Sequence, residues 1–188
     1  MRDESLLRPG AIVEVVGGLS SGRTSLLTTC IRDVTRSGAV AALVDADHVF
    51  DPLCAERAGV DLRRLLWVRC EGRRDAALRA VDLLVRCPGF ALVALDTGES
   101  PPRLPLDAAF RLRLAVRRAG VALLLVGRRR LAGSAAGLCV STSREALAWA
   151  GPGRRPTRLA GMRTAVHVIR NQQAAAPAGE AWRAWWTA

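Results

Sequence analysis

The chain has 188 residues, half of them hydrophobic, and carries a formal net charge of +11. This length suits one domain with a sizeable core, and the apolar content excludes a disordered tail. The best apolar run, residues 121–126, is too short to span a membrane, and residues 1–4 lack the apolar stretch of a signal peptide, so we expect a cytoplasmic protein with no membrane partner. The chain has no lysine, and its many arginines favour an acidic partner, either nucleic acid or an acidic protein surface.

Strand and helix patterns alternate along the first 126 residues. Apolar runs predict strands at residues 11–16, 40–45, 65–68, 90–95 and 121–126. Helical spacing and end signals predict helices at residues 24–36, in a short segment opened by Asp51-Pro52, at 76–86 and at 106–118. This alternation predicts an α/β fold, a three-layer sandwich whose mostly parallel sheet has helices on both faces.

The pattern beyond residue 127 is less regular. Residues 138–143 form a strand, or Thr142-Ser-Arg-Glu145 forms a capping box that opens a helix. Residues 151–156 predict a turn, residues 164–169 alternate like a strand, and residues 171–179 predict an irregular connection. We therefore expect one core domain over residues 1–173, followed by a connection and a tryptophan-rich tail over residues 174–188.

The cysteines do not suggest a metal site. They are spaced without a Cys-x-x-Cys pair or a nearby histidine cluster, which argues against zinc, and their apolar neighbours predict reduced thiols. The five are Cys30, Cys54, Cys70, Cys87 and Cys139.

A glycine-rich loop follows the first predicted strand. Residues 17–24, Gly-Gly-Leu-Ser-Ser-Gly-Arg-Thr, fit the phosphate-binding pattern G-x-x-x-x-G-K-[ST], with Arg23 in the place of the lysine. In such loops backbone N–H groups and a helix N-terminus hold phosphates, and the hydroxyl at the position of Thr24 helps to hold Mg²⁺. Arginine is a poor substitute for the lysine because its planar fork is larger and has a different geometry.

The chain resembles bacterial RecA. Residues 7–24 resemble the first strand and phosphate loop of that family, and residues 44–60 its next strand and adenine-side helix. Residues 92–96, Leu-Val-Ala-Leu-Asp, resemble its Walker B strand, and residues 166–171 its late strand. The likeness spans residues 7–180 and implies a RecA-like P-loop core.

Several departures from RecA fall on its ATP chemistry. The resemblance implies that Asp47 replaces the catalytic glutamate, one methylene shorter, and that Cys54 replaces the tyrosine that stacks on adenine. It also implies that Arg128 replaces a γ-phosphate sensor, while Arg170 and Gln172 replace two lysines that reach a neighbouring subunit's ATP. We therefore expect no enzyme activity and no ATP or Mg²⁺ cofactor. The vestigial nucleotide site comprises Gly17, Gly22, Arg23, Thr24, Asp47, Asp51 and Asp96; alternatively, Asp45, Asp47 and Asp96 serve only local hydrogen bonding.

Other parts of RecA are short in this sequence. About ten residues precede the first strand, so we expect neither the arm that docks on the adjacent protomer nor a carboxy-terminal domain. The two DNA-binding loops are reduced to residues 100–105 and 128–134. We expect no helical filament.

A small RecA-like core with an eroded phosphate loop is similar to the ImuA family. That resemblance implies an accessory role in SOS-induced mutagenesis by translesion DNA synthesis. The implied partners are an ImuB-like homologue of Y-family polymerases and an error-prone replicative polymerase, with RecA itself as a further candidate. The alternatives are a weakly ATP-binding or ATP-hydrolysing recombination regulator and a cell-division inhibitor of the SulA type.

Two surfaces are candidates for binding. Trp182, Trp185 and Trp186 form one stripe if the tail is helical, and such aromatic groups are typical binding hot spots; packing of the tail on the sheet is the alternative. A basic surface predicts non-specific phosphate contacts with DNA, and a solvated face is the alternative. Its arginines are Arg111, Arg113, Arg117, Arg118, Arg128, Arg129 and Arg130, with Arg154, Arg155 and Arg158 on a predicted loop.

Overall fold

The computed structural model describes residues 6–152, 157–172 and 181–187. Its helices are α1 (Arg23–Arg36), α2 (Pro52–Arg57), α3 (Arg74–Arg86) and α4 (Leu106–Ala119). Its strands are β1 (Ile12–Gly17), β2 (Val40–Asp45), β3 (Leu65–Arg69), β4 (Phe90–Asp96), β5 (Ala122–Gly127), β6 (Leu138–Ala150), β7 (Arg158–Asn171) and β8 (Ala181–Thr187). The elements predicted before residue 127 are confirmed to within two residues at either end.

All eight strands form one sheet in the order β3-β2-β4-β5-β1-β6-β7-β8. The six strands from β3 to β6 are parallel, whereas β7 and β8 are antiparallel to their neighbours. The predicted mostly parallel sheet is therefore confirmed. Among the described residues, no helix is long and apolar enough to cross a membrane.

Alternate residues of the strands belong to two apolar clusters. On β1, Ile12 lies in a cluster with Val81 of α3 and Leu112 of α4. The next residue, Val13, lies in the other cluster with Ile31 of α1. Successive side chains of a strand project to opposite faces, so the sheet is buried on both sides and its carboxyl edge is held rigidly.

The strand interpretation of residues 138–143 is confirmed, and the capping-box helix at residues 142–145 is wrong. Strand β6 continues to Ala150 and pairs with β7 along its length. The hydroxyl of Thr142 bonds the Oγ of Ser21 at 2.8 Å, so this side chain contacts the phosphate loop and does not cap a helix. Long-range pairing overrides the local capping signal. The strand predicted at residues 164–169 is also longer than expected. It begins at Arg158, so this residue belongs to β7 and not to the predicted loop.

The predicted helical tail is wrong as well. Residues 181–187 form β8, which pairs with β7 at the edge of the sheet. Adjacent residues of a strand face opposite sides, so Trp185 and Trp186 cannot share the stripe that helical spacing gave them. Trp186 packs on the apolar cluster that contains Val13, whereas Trp185 is 52% exposed. The connection predicted at residues 171–179 begins later than expected, because Asn171 belongs to β7; residues 173–179 and the arginines Arg154 and Arg155 lie outside the described residues.

Candidate functional site

The glycine-rich loop lies at the carboxyl edge of the sheet and joins β1 to α1, as predicted. Its entrance is packed tightly, since a Cβ added at Gly17 would lie 2.2 Å from Thr142 Oγ1 and 2.3 Å from Ser21 Oγ. Its exit is Gly22, which precedes α1 with a positive φ of 91°. Glycine is favoured at both positions, by close approach at the first and by backbone conformation at the second.

Strands β7 and β8 cover the end of this loop. A Cβ added at Gly22 would lie 2.2 Å from Thr164 Oγ1 and 3.0 Å from the indole nitrogen of Trp186. The same indole donates a hydrogen bond to Thr164 Oγ1 at 3.0 Å. What remains open is a cleft of about 160 Å³ between loop residues 18–25 and Met162 of β7.

Arg23, the residue in the lysine position, is buried and bound to its own protein. Its guanidinium donates to the carbonyl oxygen of Gly17 and, at 3.4 Å, to that of Gly98. It also forms an ion pair with Glu99, in the segment after β4. These partners lie on the loop and on the segment after β4, two strands from β1 in the sheet, so the side chain points across the sheet edge. The carboxylate of Glu99 therefore lies directly beside the guanidinium.

The strand-end carboxylates are engaged in local contacts. Asp45 is fully buried and accepts hydrogen bonds from the amides of Val49 and Phe50. Asp47 forms an ion pair with Arg74, at the start of α3. Asp96 accepts from the amide of Gly98 at 2.9 Å. Burial raises the pKa of the Asp96 carboxyl, against the opposing effects of that amide and of Arg23.

The remaining predicted nucleotide residues lie on the surface. The Oδ1 atom of Asp51 caps α2 by accepting from the amides of Leu53 and Cys54. The Cys54 side chain and amide, as hydrogen-bond donors, lower the pKa of Asp51. Thr24 is exposed in the first turn of α1, and Cys54 is exposed on α2. Of the seven predicted nucleotide-site residues, Asp51 acts as a helix cap. The other six lie at the carboxyl edge of the sheet: Gly17, Gly22, Arg23, Thr24, Asp47 and Asp96.

The arginines predicted as one basic surface form two separate groups. Arg113 and Arg117 of α4 line an open groove of about 400 Å³ with Gly10, where β1 and β5 begin. Residues 128–130 follow the other end of β5. A strand of that length separates them by about 20 Å. The single continuous surface is therefore wrong, because α4 returns the chain to the amino edge before β5 crosses back.

Residues 128–130 each contact another part of the protein. Arg128 lies 3.7 Å from the carboxylate of Glu99, and Arg129 donates to the carbonyl of Pro101 at 3.4 Å. Arg130 donates to Gly133 at 2.7 Å and lies 3.6 Å from Glu14 of β1. Sequence reasoning missed Glu14 and Glu99. A carboxylate inside an apolar strand was the available signal for Glu14.

The comparisons with known proteins agree with this architecture. The chain is 44% identical over 88 residues to the RecA protein of Prochlorococcus marinus (strain MIT 9211), and 43% identical over 88 residues to that of Methylococcus capsulatus. It is 41% identical over 91 residues to the RecA protein of Gloeothece citriformis. These alignments cover 47–48% of this chain and 24–25% of each relative, so the chain spans about a quarter of the length of the relatives it matches.

The matched region contains the glycine-rich loop, the strand-end carboxylates and Glu99. Residues 6–103, just over half of the chain, match the RecA N-terminal domain family. The chain belongs to the RecA N-terminal domain family.

Proposed function

We propose that this chain is a non-catalytic RecA-like accessory protein of SOS-induced translesion DNA synthesis, of the ImuA type. It acts in the cytoplasm by docking partner proteins, an ImuB-like Y-family homologue first among them, and contacts DNA non-specifically through arginines. The observation that carries the non-catalytic part is the buried Arg23, whose guanidinium is bound to Gly17, Gly98 and Glu99. A group held in this way is not free to follow a transferring phosphoryl group.

The remaining groups of the site support the same conclusion. Water activation needs a carboxylate within about 3 Å of its target, and Asp47 is instead paired with Arg74. Thr24 is exposed and could still help to hold Mg²⁺, but its hydroxyl supplies neither the charge of the missing lysine nor a base. The residues present therefore do not fit a hydrolysis-competent magnesium nucleotide, and we derive no catalytic step through one.

The test of the non-catalytic role is phosphate release by the purified full chain with Mg²⁺-ATP, with and without DNA. We expect no turnover above background in the wild type or in Arg23→Lys, because restoring the lysine leaves Asp47 bound to Arg74. Turnover by the wild type that disappears in Asp96→Ala would contradict the proposal.

The docking role has a separate test. Size-exclusion chromatography of the full chain with the ImuB-like homologue from the same organism should give a joint peak. Trp185 is 52% exposed, so Trp185→Ala should weaken this complex, because aromatic side chains dominate many interfaces. Leu83→Ala is the matched control, since Leu83 is 69% exposed on α3. Binding to RecA or to the tubulin-like division protein, with none to the ImuB-like homologue, would reassign the partner.

One observation favours a second candidate, a nucleotide-binding regulator without turnover. The cleft of about 160 Å³ beside residues 18–25 remains open above the loop. Backbone amides at a helix N-terminus can bind an anion even after the side chains have changed. Saturable binding of a fluorescent ATP analogue, competed by unlabelled ATP and abolished by Gly17→Val, would favour this candidate.

A further inference from the structure

Glu14 is a carboxylate in a strand whose neighbours are apolar. It lies in the middle of β1, between β5 and β6, and its side chain is 1% exposed. Its direct strand partners are Leu125 and Cys139. Burying a carboxylate is costly unless it is paired and hydrogen-bonded, and packing of this strand requires only an apolar side chain here.

The partners of Glu14 all lie in the segment after β5. Its Oε1 atom accepts hydrogen bonds from the amides of Leu131 and Ala132, both at 2.6 Å. Its Oε2 atom faces Arg130 at 3.6 Å and accepts no hydrogen bond from the described residues. The buried charge is thus compensated by one short stretch of backbone and one guanidinium, and it fixes that stretch against the sheet.

The far end of the same segment is held by two arginines. The carbonyl oxygen of Gly133 accepts from Arg130 at 2.7 Å and from Arg170 of β7 at 3.4 Å. Arg130 therefore has partners at both ends, Glu14 and Gly133. All three arginines at residues 128–130 are exposed, but Arg130 faces Glu14, whereas Arg128 and Arg129 precede the anchored part.

We propose that Glu14 is a positioning residue for the basic segment 128–133: its carboxylate anchors Leu131 and Ala132, so that Arg128 and Arg129 are presented to the phosphates of a nucleic acid. Arg130 neutralises Glu14 and does not contact phosphate. This inference rests on the DNA contact in the proposed function and refines it. It assigns phosphate contact to Arg128 and Arg129, and assigns to Arg130 the neutralisation of Glu14.

The test uses two substitutions of Glu14 with different consequences. Glu14→Gln keeps an oxygen that can accept from both amides, whereas Glu14→Val fits an apolar strand but leaves the amides without their acceptor. Glu14→Val leaves Arg130 without its ionic partner, but that side chain is 38% exposed and can be solvated, so we expect the variant to fold with reduced stability. The probe is a short mixed-sequence DNA duplex, titrated with the full chain at several salt concentrations.

Each phosphate contact that is lost lowers the salt slope of log K by about 1. We expect Arg128→Ala and Arg129→Ala each to lower it by about that amount, and Glu14→Val to lower it by about 2. Glu14→Gln, alone or combined with Arg130→Gln, should keep the wild-type slope, because glutamine keeps the acceptor for both amides and carries no charge that Arg130 must neutralise. Wild-type binding by Glu14→Val, with Arg128 and Arg129 still required, would overturn the inference while leaving the DNA contact intact.

Amide hydrogen exchange tests the anchoring of Leu131 and Ala132 by Glu14 independently of DNA binding. The amides of Leu131 and Ala132 lie outside the strands and helices, and both donate to Glu14, so the part of their protection that this hydrogen bond supplies is lost when the acceptor is removed. We expect protection in the wild type and in Glu14→Gln, and its loss in Glu14→Val. Unprotected amides in the wild type would overturn the inference whether or not the variants fold. If no DNA binds the wild type at any salt concentration, the DNA contact itself fails.

Discussion

The guanidinium of Arg23 forms an ion pair with the carboxylate of Glu99, which lies 76 positions later in the chain. The same carboxylate lies 3.7 Å from Arg128 at the end of β5. One acidic side chain thus joins the glycine-rich loop to the segments after β4 and β5. The guanidinium in the lysine position of the phosphate-binding pattern is thus paired with a carboxylate of the protein itself.

Removing the charge of Glu99 should destabilise the fold. Arg23 is 8% exposed, and in Glu99→Gln its buried charge loses its ionic partner. Unpaired buried charges are costly, and because Glu99 itself is partly exposed we expect a loss of about 1–2 kcal/mol in the free energy of unfolding, measured in urea.

Glu56→Gln is the matched control, because Glu56 is exposed on α2. Its free energy of unfolding should remain within about 0.5 kcal/mol of the wild type. Equal stability of Glu99→Gln and Glu56→Gln would show that the ion pair with Arg23 contributes nothing to the fold.

The packing at the start of the loop makes a second prediction. A Cβ at Gly17 would overlap the hydroxyls of Thr142 and Ser21, whereas a Cβ at Gly18 would meet nothing within 4 Å. Overpacking of a rigid site costs about 1–3 kcal/mol, so Gly17→Ala should lower the urea midpoint clearly and Gly18→Ala should not. Similar midpoints for the two variants would mean that β6 does not fix the loop.

Local sequence signals were sufficient for the loop and for the strands and helices around it. The apolar run of β1, the glycines and the helical spacing of α1 are all contained within residues 11–36. The position of Arg23 was also visible as a departure from the lysine pattern. Its partner was not, because the contact with Glu99 depends on β4 lying two strands from β1 in the sheet.

The tail shows where local spacing fails. Trp182, Trp185 and Trp186 fit one helical stripe, yet the same residues form a strand because β7 offers them an antiparallel partner. Strand formation depends on context more than helix formation does, since it requires a neighbour from elsewhere in the chain. Residues 142–145 were ambiguous for the same reason, and pairing with β7 decided them.

The buried carboxyl of Asp96 should make stability depend on pH. Burial raises its pKa above the ordinary value of 3.8, so the folded chain binds this proton more tightly than the unfolded chain. The stability contributed by protonated Asp96 is then lost as pH rises from 3.8 through the raised pKa. At neutral pH the charged carboxylate of Asp96 therefore destabilises the fold. Asn keeps the acceptor for the Gly98 amide, so Asp96→Asn should be more stable than the wild type at pH 7.

The difference should shrink as the pH of the urea titration approaches the ordinary pKa of aspartate. Asp51→Asn is the control with the opposite sign, because hydrogen bonds from Cys54 lower the pKa of Asp51. The stability that the Asp51 carboxylate contributes is present above the ordinary pKa of aspartate and is lost as pH falls through the lowered pKa of Asp51. A wild type more stable than Asp96→Asn at pH 7 would mean that the attraction of Arg23 outweighs burial.

The two neighbouring tryptophans of β8 should have different effects when they are removed. Trp186 packs on the core and donates to Thr164, so Trp186→Ala should lower the free energy of unfolding by about 2–3 kcal/mol, less than for a fully buried ring. Trp185 is 52% exposed and covers Gly161, so Trp185→Ala should cost about 1 kcal/mol or less. Urea unfolding followed by circular dichroism measures both free energies of unfolding. Fluorescence is avoided because each variant removes a tryptophan. Equal losses in the two variants would contradict the placement of β8, since only a strand puts these adjacent rings on opposite faces of the sheet.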